Sequence, residues 1–341
     1  MKQTSLKSNF LFNLIYQILA VITPIFTTPY ISRVLSADGI GKYSYALSIV
    51  TYFGIFGCLG TATYGQLEIA RNRDNKKLLH KTVSEIFFGR LVTLMISLLI
   101  YFAVILKASG QYKLLYSVLS LYILGQMNDV SFILQGLEWF KMLAMRNIII
   151  KVLNIVLIFA LVREHNDLYI YAIIIHGITL IGNFSLWPQV IKYIKPKSFK
   201  NMNFIQHWKK SMIYFIPTVA TMVYTVLDKS MIGWITGSEF QNGYYEQAYK
   251  IEQILLVFVT TVGTVTFPRM AYFFENDNKE ERKRIMGITM KFIMLIACPI
   301  CFGTMAISEN LIPVFLGKGY EECILLLRIF SFLIIIIGLD N

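Results

Sequence analysis

The chain has 341 residues, of which 56% are hydrophobic and 15% are charged, and its excess of basic residues gives a formal charge of +12. An average soluble domain has roughly 25% charged residues, so this composition excludes a soluble protein that hides its apolar residues in a core. The basic residues lie in short stretches between apolar runs rather than on one amphipathic face. This pattern argues against a nucleic-acid partner and indicates membrane topology signals.

Apolar runs long enough to cross a bilayer follow one another along the chain. A hydrocarbon core of about 30 Å needs roughly 20 mostly apolar residues per helix. We therefore predict an all-α integral membrane protein of about ten transmembrane helices. They lie near residues 10–32, 42–64, 84–106, 114–137, 147–162, 168–190, 211–235, 246–271, 285–307 and 323–339. The first segment is too long for a signal-peptide core and has no small-residue cleavage site after it, so we expect it to stay in the mature protein.

The charges of the predicted loops give an independent check on this order of helices. Cytoplasmic loops are enriched in Lys and Arg. With a cytoplasmic N-terminus, the loops on that side hold about 20 basic residues and those on the other side about six. Hydropathy and loop charge therefore predict the same topology. Proline residues at 24, 29, 217 and 299 lie inside predicted helices, where each is expected to bend the helix.

The beginning of the chain and the segment after Lys210 share one layout. Each has a basic loop, a proline-containing helix, a short outer loop and a Gly-x-Tyr-x-x-Ala motif, which begins at Gly41 and again at Gly243. Six predicted helices precede the second copy, so the copies have the same orientation and form a parallel repeat. We predict a six-helix bundle at 1–195, a basic cytoplasmic linker at 196–210 and a second bundle at 211–341. Only about four helices are predicted for the second bundle, so we expect it to be incomplete, either as a truncation or as a piece of a longer protein.

Charged side chains inside the predicted helices are the candidate functional residues, because each costs roughly 2.5–3.5 kcal/mol on insertion scales and needs a partner or a wet cavity. We predict that Arg33, Lys229 and Lys250 line a cationic cavity between the repeats, suited to phosphate or pyrophosphate. In the alternative, Asp228 and Lys250 neutralise each other as a structural pair, and Arg33 anchors an interface.

A second set of charges has an ion-coupling or a structural role, and it comprises Asp228, Asp129, Glu252, Glu138 and Arg269. The membrane potential supplies about 2.3 kcal/mol per charge per 100 mV, so a carboxylate such as Asp228 or Asp129 is a candidate for H⁺ or Na⁺ binding. For Glu138, which precedes Trp139, the alternative is a helix end with an interfacial tryptophan.

No motif of an enzyme or of an ATPase is present. The four histidines are scattered without an HExxH pattern, and no GxxxxGK[ST] loop occurs. Cys298 and Cys301 have CxxC spacing but no second pair, so we interpret them as small buried hydrophobes and predict no metal and no cofactor.

Several short motifs carry a family resemblance: YISRVL at 30–35, GIGKY at 39–43, QGLE at 135–138, LDKSMIG at 227–233, GYY at 243–245, AYK at 248–250 and FPR at 267–269. In this order they make the chain similar to the polysaccharide-biosynthesis flippases of O-antigen and capsule repeat units, within the multidrug/oligosaccharidyl-lipid/polysaccharide exporter superfamily. The resemblance runs through the whole chain.

The resemblance implies a substrate, a location and partners. The substrate is an undecaprenyl-pyrophosphate-linked oligosaccharide, moved across the bacterial cytoplasmic membrane by alternating access between two six-helix bundles. A polysaccharide polymerase and chain-length machinery are the implied protein partners. Two rivals remain: a cation-coupled drug antiporter of the same superfamily, which would need buried carboxylates more than buried cations, and a polysaccharide polymerase or ligase, which would carry a large outer loop.

Overall fold

The computed structural model describes residues 6–108, 110–195, 202–275 and 279–340, with side chains described except at 6–14, 16, 106, 108, 111, 262–275, 279 and 282. Over this part of the chain the fold consists of α-helices joined by short turns, without a β-strand. The helices are α1 (Leu6–Cys58), α2 (Thr61–Asn72), α3 (Lys76–Ala108), α4 (Lys113–Asn128), α5 (Ser131–Gly136), α6 (Phe140–Leu161), α7 (Leu168–Phe184), α8 (Trp187–Val190), α9 (Phe204–Thr225), α10 (Leu227–Thr236), α11 (Glu239–Glu275), α12 (Lys279–Phe315) and α13 (Glu322–Asp340).

All ten predicted apolar segments fall on these helices, and the prediction of an all-α integral membrane protein is confirmed. Seven helices of the described chain are long and apolar enough to cross a membrane, and the bent pair of α9 and α10 makes up to eight. The count differs from ten for two reasons. The first two predicted segments lie in one continuous helical stretch, Gln17–Asn72, which is counted once although it contains the break at Ser36 and its 56 residues extend over about 84 Å. The predicted segment at 246–271 lies in α11, which is not among the seven and whose side chains from residue 262 onward lie outside the described part.

The departures from helical geometry do not lie at the prolines. Helix α1 continues through Pro24 and Pro29, and its break is at Ser36, with φ 58° and ψ 175°. Helix α9 continues through Pro217, and the break that follows it is at Val226. The expectation that each proline bends its helix stays a prediction, whereas the breaks at Ser36 and Val226 are not marked by a proline.

The chain forms two compact contact units, and each is described by itself. The first unit comprises the start of α1 as far as Ala20 and the long stretch Lys42–Ser238. Its apolar core joins side chains of α2, α3, α5, α6 and α8, among which Ile69, Ile86 and Phe132 are almost fully buried. Burial of these branched and aromatic side chains fixes the positions of the short helix α5 and of the polar residues on either side of it.

A buried hydrogen-bonded chain fastens α9 to the rest of the first unit. The His207 ring lies 2.8 Å from the Tyr64 hydroxyl through Nδ1 and 3.0 Å from a Glu85 carboxylate oxygen through Nε2. The other carboxylate oxygen of Glu85 accepts a bond from the Asn203 backbone N–H at the start of α9. These bonds join α2 and α3 to the beginning of α9.

The second unit comprises Val21–Gly41 of α1 and the chain from Glu239 onward. Its main core joins α1, α11, α12 and α13, with Ile312, Leu316 and Leu327 completely buried. The Tyr320 hydroxyl donates to the Ser32 carbonyl, and the Ser32 hydroxyl donates to the Leu316 carbonyl, both at 2.8 Å. These bonds tie the turn between α12 and α13 to α1.

Two glycines of the sequence repeat bring α1 and α11 into backbone contact within the second unit. A Cβ atom on Gly243 would lie 1.9 Å from the Ala37 carbonyl oxygen, and one on Gly41 would lie 1.7 Å from the Glu239 carbonyl oxygen. Only glycine permits such an approach, as at close helix crossings in membranes. The repeated motif therefore marks a crossing of two helices.

The contact units follow other boundaries than the predicted bundles. Residues 211–238 group with the first unit, and Val21–Gly41 of α1 group with the second. The division at 1–195, 196–210 and 211–341, the parallel relation of the two bundles and the cytoplasmic N-terminus stay predictions.

Candidate functional site

The predicted cavity residues belong to different contact units. Lys229 lies in the first unit, and Arg33 and Lys250 lie in the second. Each residue is therefore described in its own surroundings, and their convergence on one cavity stays a prediction.

Lys229 and Asp228 lie at a break in a membrane-spanning helix pair. Helix α9 ends at Thr225 and α10 begins at Leu227, with a bend of 43° between them. Asp228 and Lys229 are half-buried in the first turn of α10. A helix start carries the positive end of the helix dipole, which favours negative charge. In α10 the Asp228 side chain lies in this first turn together with Lys229.

The side chain of Ser230 fixes this helix start. Ser230 is fully buried, and its hydroxyl lies 2.8 Å from the Ser48 hydroxyl and 2.8 Å from the Tyr52 hydroxyl, both on α1. The first turn of α10 is therefore held by side chains from another helix, which orients Asp228 and Lys229.

Arg33 contacts the C-terminal end of α12. Its Nη2 atom donates to the Val314 carbonyl at 2.7 Å. Its aliphatic stem lies beside Gly317, where a Cβ atom would be 3.2 Å from the Arg33 Cγ. A cation at a helix C-terminus complements the negative end of the dipole. This contact is the arrangement expected of an anchoring residue, and a substrate-binding role for Arg33 stays a prediction.

Helix α11 carries the predicted Lys250 and Glu252 together with two buried amides. The Lys250 ammonium lies 3.6 Å from the Glu246 carboxylate, one turn away on the same helix. Glu252 is fully buried, and one of its oxygens accepts from the Gln253 amide at 2.9 Å while the other has no hydrogen-bond partner. Asn242 and Gln247 are also buried and have side-chain atoms without a partner. The side chain of Arg269, farther along α11, lies outside the described residues.

Asp129 lies at a second helix break, between α4 and α5, where it pairs with a buried arginine. Arg90 is 2% exposed, and its Nη2 atom lies 3.9 Å from an Asp129 oxygen. The same Nη2 atom donates to the backbone and side-chain oxygens of Gln126, and the guanidinium lies over the Phe132 ring. The Ser131 N–H donates to Asp129 at 2.9 Å. Asp129 therefore has the surroundings of a structural partner of Arg90.

A second arginine makes hydrogen bonds in the interior of the first unit. Arg146 of α6 donates to the Asn183 side chain at 2.9 Å and to the Ser131 hydroxyl. Asn183 in turn donates to the Gly125 carbonyl at 2.8 Å. These groups border a small polar cavity of about 140 Å³, lined by Leu121, Tyr122, Gly125, Gln126, Asp129, Arg146, His176, Thr179 and Asn183.

This polar cavity is not predicted from the sequence. Arg146 lies near a predicted loop, and His176 is one of the four scattered histidines. His176 is buried, and its Nε2 atom lies 3.0 Å from the Tyr43 hydroxyl. Asn183 and His176 lie at helical spacing on α7, and this polar pair inside an apolar run is the signal that could have found the cavity.

Glu138 lies at a helix end rather than in an interior site. Its backbone has the positive φ of 62°. Its carboxylate lies 2.6 Å from the Arg73 guanidinium, and both side chains are exposed. The neighbouring Trp139 ring has the Lys192 ammonium over it at 5.4 Å. These contacts are those expected for the alternative of a helix end with an interfacial tryptophan.

Comparison with known proteins gives a family and a fold. Residues 6–274 match the family described as polysaccharide biosynthesis protein. A Shigella dysenteriae protein named as an O-antigen transporter is 23% identical over 303 residues, which cover 87% of this chain and 74% of the relative. An Escherichia coli K12 protein with the same name is 21% identical over 346 residues, covering 99% and 82%.

A solved structure has the same fold. The inward-facing structure of a multidrug resistance MATE family transporter of the MOP superfamily has a TM-score of 0.66 at 14% identity, covering 93% of this chain and 82% of that one. The family match extends over most of the chain, and the sequence motifs predicted the same family. The chain belongs to the polysaccharide biosynthesis protein family, and its fold is that of a MATE transporter.

Proposed function

We propose that this protein translocates undecaprenyl-pyrophosphate-linked oligosaccharide repeat units across the bacterial cytoplasmic membrane for the synthesis of a surface polysaccharide such as O-antigen or capsule. Membership in the polysaccharide biosynthesis family over residues 6–274 carries the proposal. The relatives named as O-antigen transporters support transport rather than an enzymatic reaction. A polysaccharide polymerase and chain-length machinery are the proposed partners that use the translocated product.

The break between α9 and α10 is the proposed contact for the pyrophosphate. A helix start in an apolar segment favours an anionic group, and broken helices hold substrate in this way in other transporters. Lys229 adds a positive charge in the first turn of α10, which Ser230 holds in place. Lys250 is the second proposed pyrophosphate ligand, and the polyprenyl tail stays in the lipid. Arg33 contributes by fixing the end of α12.

Alternating access requires an energy source, and Glu252 is the proposed site for a coupling proton or Na⁺. A fully buried carboxyl group with one oxygen unpartnered is costly when ionised, so a proton or a cation stabilises it. Asp129 is less suited to this role, because the Arg90 guanidinium already compensates its charge.

Complementation tests the substrate assignment. The full chain is expressed in a strain that lacks its own repeat-unit flippase and whose repeat unit the wild type transports. The double variant Lys229→Ala and Lys250→Ala is expected to abolish surface polysaccharide at unchanged membrane protein level. The matched control, Lys107→Ala with Lys113→Ala, replaces two exposed lysines and is expected to keep the normal amount of surface polysaccharide. Normal polysaccharide from the first variant would contradict the assignment of these lysines.

Transport of cationic dyes separates this function from drug antiport. Vesicles that contain the wild-type protein are expected to export such dyes no faster than vesicles without it, because the candidate ligands are cations. Export that depends on the protein, combined with a failure to restore polysaccharide, would replace the flippase by a drug antiporter.

A further inference from the structure

A long apolar groove lies between α6 and α7 on the surface of the first unit. Its volume is about 760 Å³, and the walls are formed by Met145, Ile149, Leu153, Ile178 and Ile181, among others. Ile149 is 55% exposed and Ile181 is 69% exposed. The groove is distinct from the polar cavity, although Arg146 borders both.

The floor of the groove is formed where α6 and α7 approach each other at Gly182. A Cβ atom on Gly182 would lie 2.3 Å from the Ile150 Cδ1 atom. The missing side chain lets Ile150 pack directly on the α7 backbone, which leaves the larger side chains on either side as walls. Gly182 therefore brings α6 and α7 close together at the floor of the groove.

One end of the groove is cationic. Lys141 and Arg146 line it at the first turns of α6, together with Trp139 and, from the end of α7, Ser185. The ammonium of Lys192 lies over the Trp139 ring at 5.4 Å. The predicted topology places these basic residues on the cytoplasmic side. Tryptophan and basic residues are typical of the membrane–water interface.

The groove is longer than the hydrocarbon part of one leaflet of a bilayer. The apolar lining side chains of α6 extend from Met142 to Leu157, about 22 Å of helix at 1.5 Å per residue. Half of a 30 Å hydrocarbon core is about 15 Å. One acyl chain can therefore lie along the groove while its headgroup stays at the cationic end.

We propose that this groove binds an anionic phospholipid of the cytoplasmic leaflet, with an acyl chain between α6 and α7 and the phosphate beside Lys141 and Lys192. Apolar walls would accept any lipid, so the cationic end supplies the selectivity for a negative headgroup. Basic pockets between membrane helices on the cytoplasmic side bind anionic headgroups in this manner. The site goes beyond the proposed transport function, because it lies on the surface of one unit and does not involve Lys229 or Lys250.

Lipid titration of the purified full chain tests the proposal. Delipidated protein in neutral detergent is titrated with phosphatidylglycerol or phosphatidylcholine, and the lipid dependence of Tm gives an apparent affinity. Phosphatidylglycerol is expected to bind the more tightly. The double variant Lys141→Gln and Lys192→Gln is expected to weaken phosphatidylglycerol binding by about fivefold for each lysine removed. The control Lys107→Gln with Lys113→Gln, at exposed positions away from the groove, is expected to leave the affinity for phosphatidylglycerol unchanged.

A second pair of variants tests the acyl-chain position without changing charge. Leu153→Trp fills the groove and is expected to weaken phosphatidylglycerol binding, whereas Val104→Trp, at an exposed position on α3, is expected to have no effect. Each variant must keep the Tm that the lipid-free wild type has.

Three outcomes would overturn the proposal. The first is equal binding of the two phospholipids. The second is an equal effect of the two lysine pairs. The third is lysine-dependent binding of undecaprenyl phosphate without binding of phosphatidylglycerol, which would assign the groove to the tail of the transport substrate. None of these outcomes bears on the polysaccharide assay, so failure of this site and failure of the proposed transport function are distinguishable.

Discussion

The buried polar groups of the first unit and those of α11 differ in how they are satisfied. In the first unit, Arg90 and Arg146 donate to side chains or carbonyls on other helices, although the Nε and Nη1 atoms of Arg90 have no hydrogen-bond partner in the described structure. On α11, Glu252 has only the adjacent Gln253 as a hydrogen-bond partner, and neither side-chain polar atom of Gln247 has one in the described structure. Hydrogen bonds between helices stabilise a fold, whereas a buried polar group without a hydrogen bond lowers the free energy of unfolding. We infer that the first set is structural and that α11 is kept polar for function.

Removal of Arg90 is expected to give the largest effect that tests this difference between the first unit and α11. Arg90→Ala deletes the bonds to Gln126, leaves Asp129 without its partner and opens a cavity. We expect a loss of about 3 kcal/mol in the free energy of unfolding. The control is Arg71→Ala, an exposed residue paired with Glu68, for which we expect less than about 0.5 kcal/mol. Thermal or denaturant unfolding in detergent measures both. Equal effects would show that the interior network does not hold the first unit.

The next largest effect is expected at the start of α11, where backbone contact takes the place of polar bonds. Gly243→Ala places a methyl group against the Ala37 carbonyl and should cost about 2 kcal/mol through overpacking. Gly287→Ala, on α12 with open space around it, should be neutral or slightly stabilising. The same unfolding assay compares the two. A harmless Gly243→Ala would mean that α1 and α11 do not approach closely.

Gln247 gives a prediction of the opposite sign. Gln247→Leu exchanges a buried amide without partners for an apolar side chain of similar size. The stability should stay the same or rise by about 1 kcal/mol, because no hydrogen bond is lost. If Gln247 instead makes structural bonds, the variant loses stability and the contrast between the two regions fails. The transport rate of this stable variant shows whether the amide is needed for function.

Glu252→Gln should have the smallest effect on the free energy of unfolding and the largest effect on transport. The amide resembles a protonated carboxyl group in shape, so we expect a stability change below about 0.5 kcal/mol. Transport should no longer respond to an imposed H⁺ or Na⁺ gradient, since the amide does not ionise. Proteoliposomes with gradients of either ion measure this response. Glu246→Gln, which alters the ion pair with Lys250, controls for a general change of charge on α11 and should keep the gradient response.

Much of the fold follows from sequence, because hydropathy and loop charge are local signals. The breaks at Ser36 and Val226 do not follow, since neither residue is a proline or a glycine. The repeat of Gly41 and Gly243 is visible in the sequence, but the close approach of the α1 and α11 backbones at these two glycines is not.

Candidate site residues can be proposed from sequence only where a charged residue lies inside an apolar run. That rule selects Lys229, Lys250 and Glu252 as candidates. It cannot find the contact of Arg33 with the Val314 carbonyl, because 281 residues separate the two in sequence. It also misses Arg146, whose position near a predicted loop hides its bonds with Asn183 on the next long helix.

Direct transport in a defined system tests the central claim. Purified full chain is reconstituted into liposomes that carry a lipid-linked oligosaccharide, and an external glycosidase measures the arrival of sugar at the outer leaflet over time. The wild type should expose the sugar at least tenfold faster than empty liposomes, and the Lys229→Ala, Lys250→Ala double variant should not. Equal rates for wild type and empty liposomes, with folded protein in the membrane and either ion gradient applied, would contradict the assignment of this chain as a flippase.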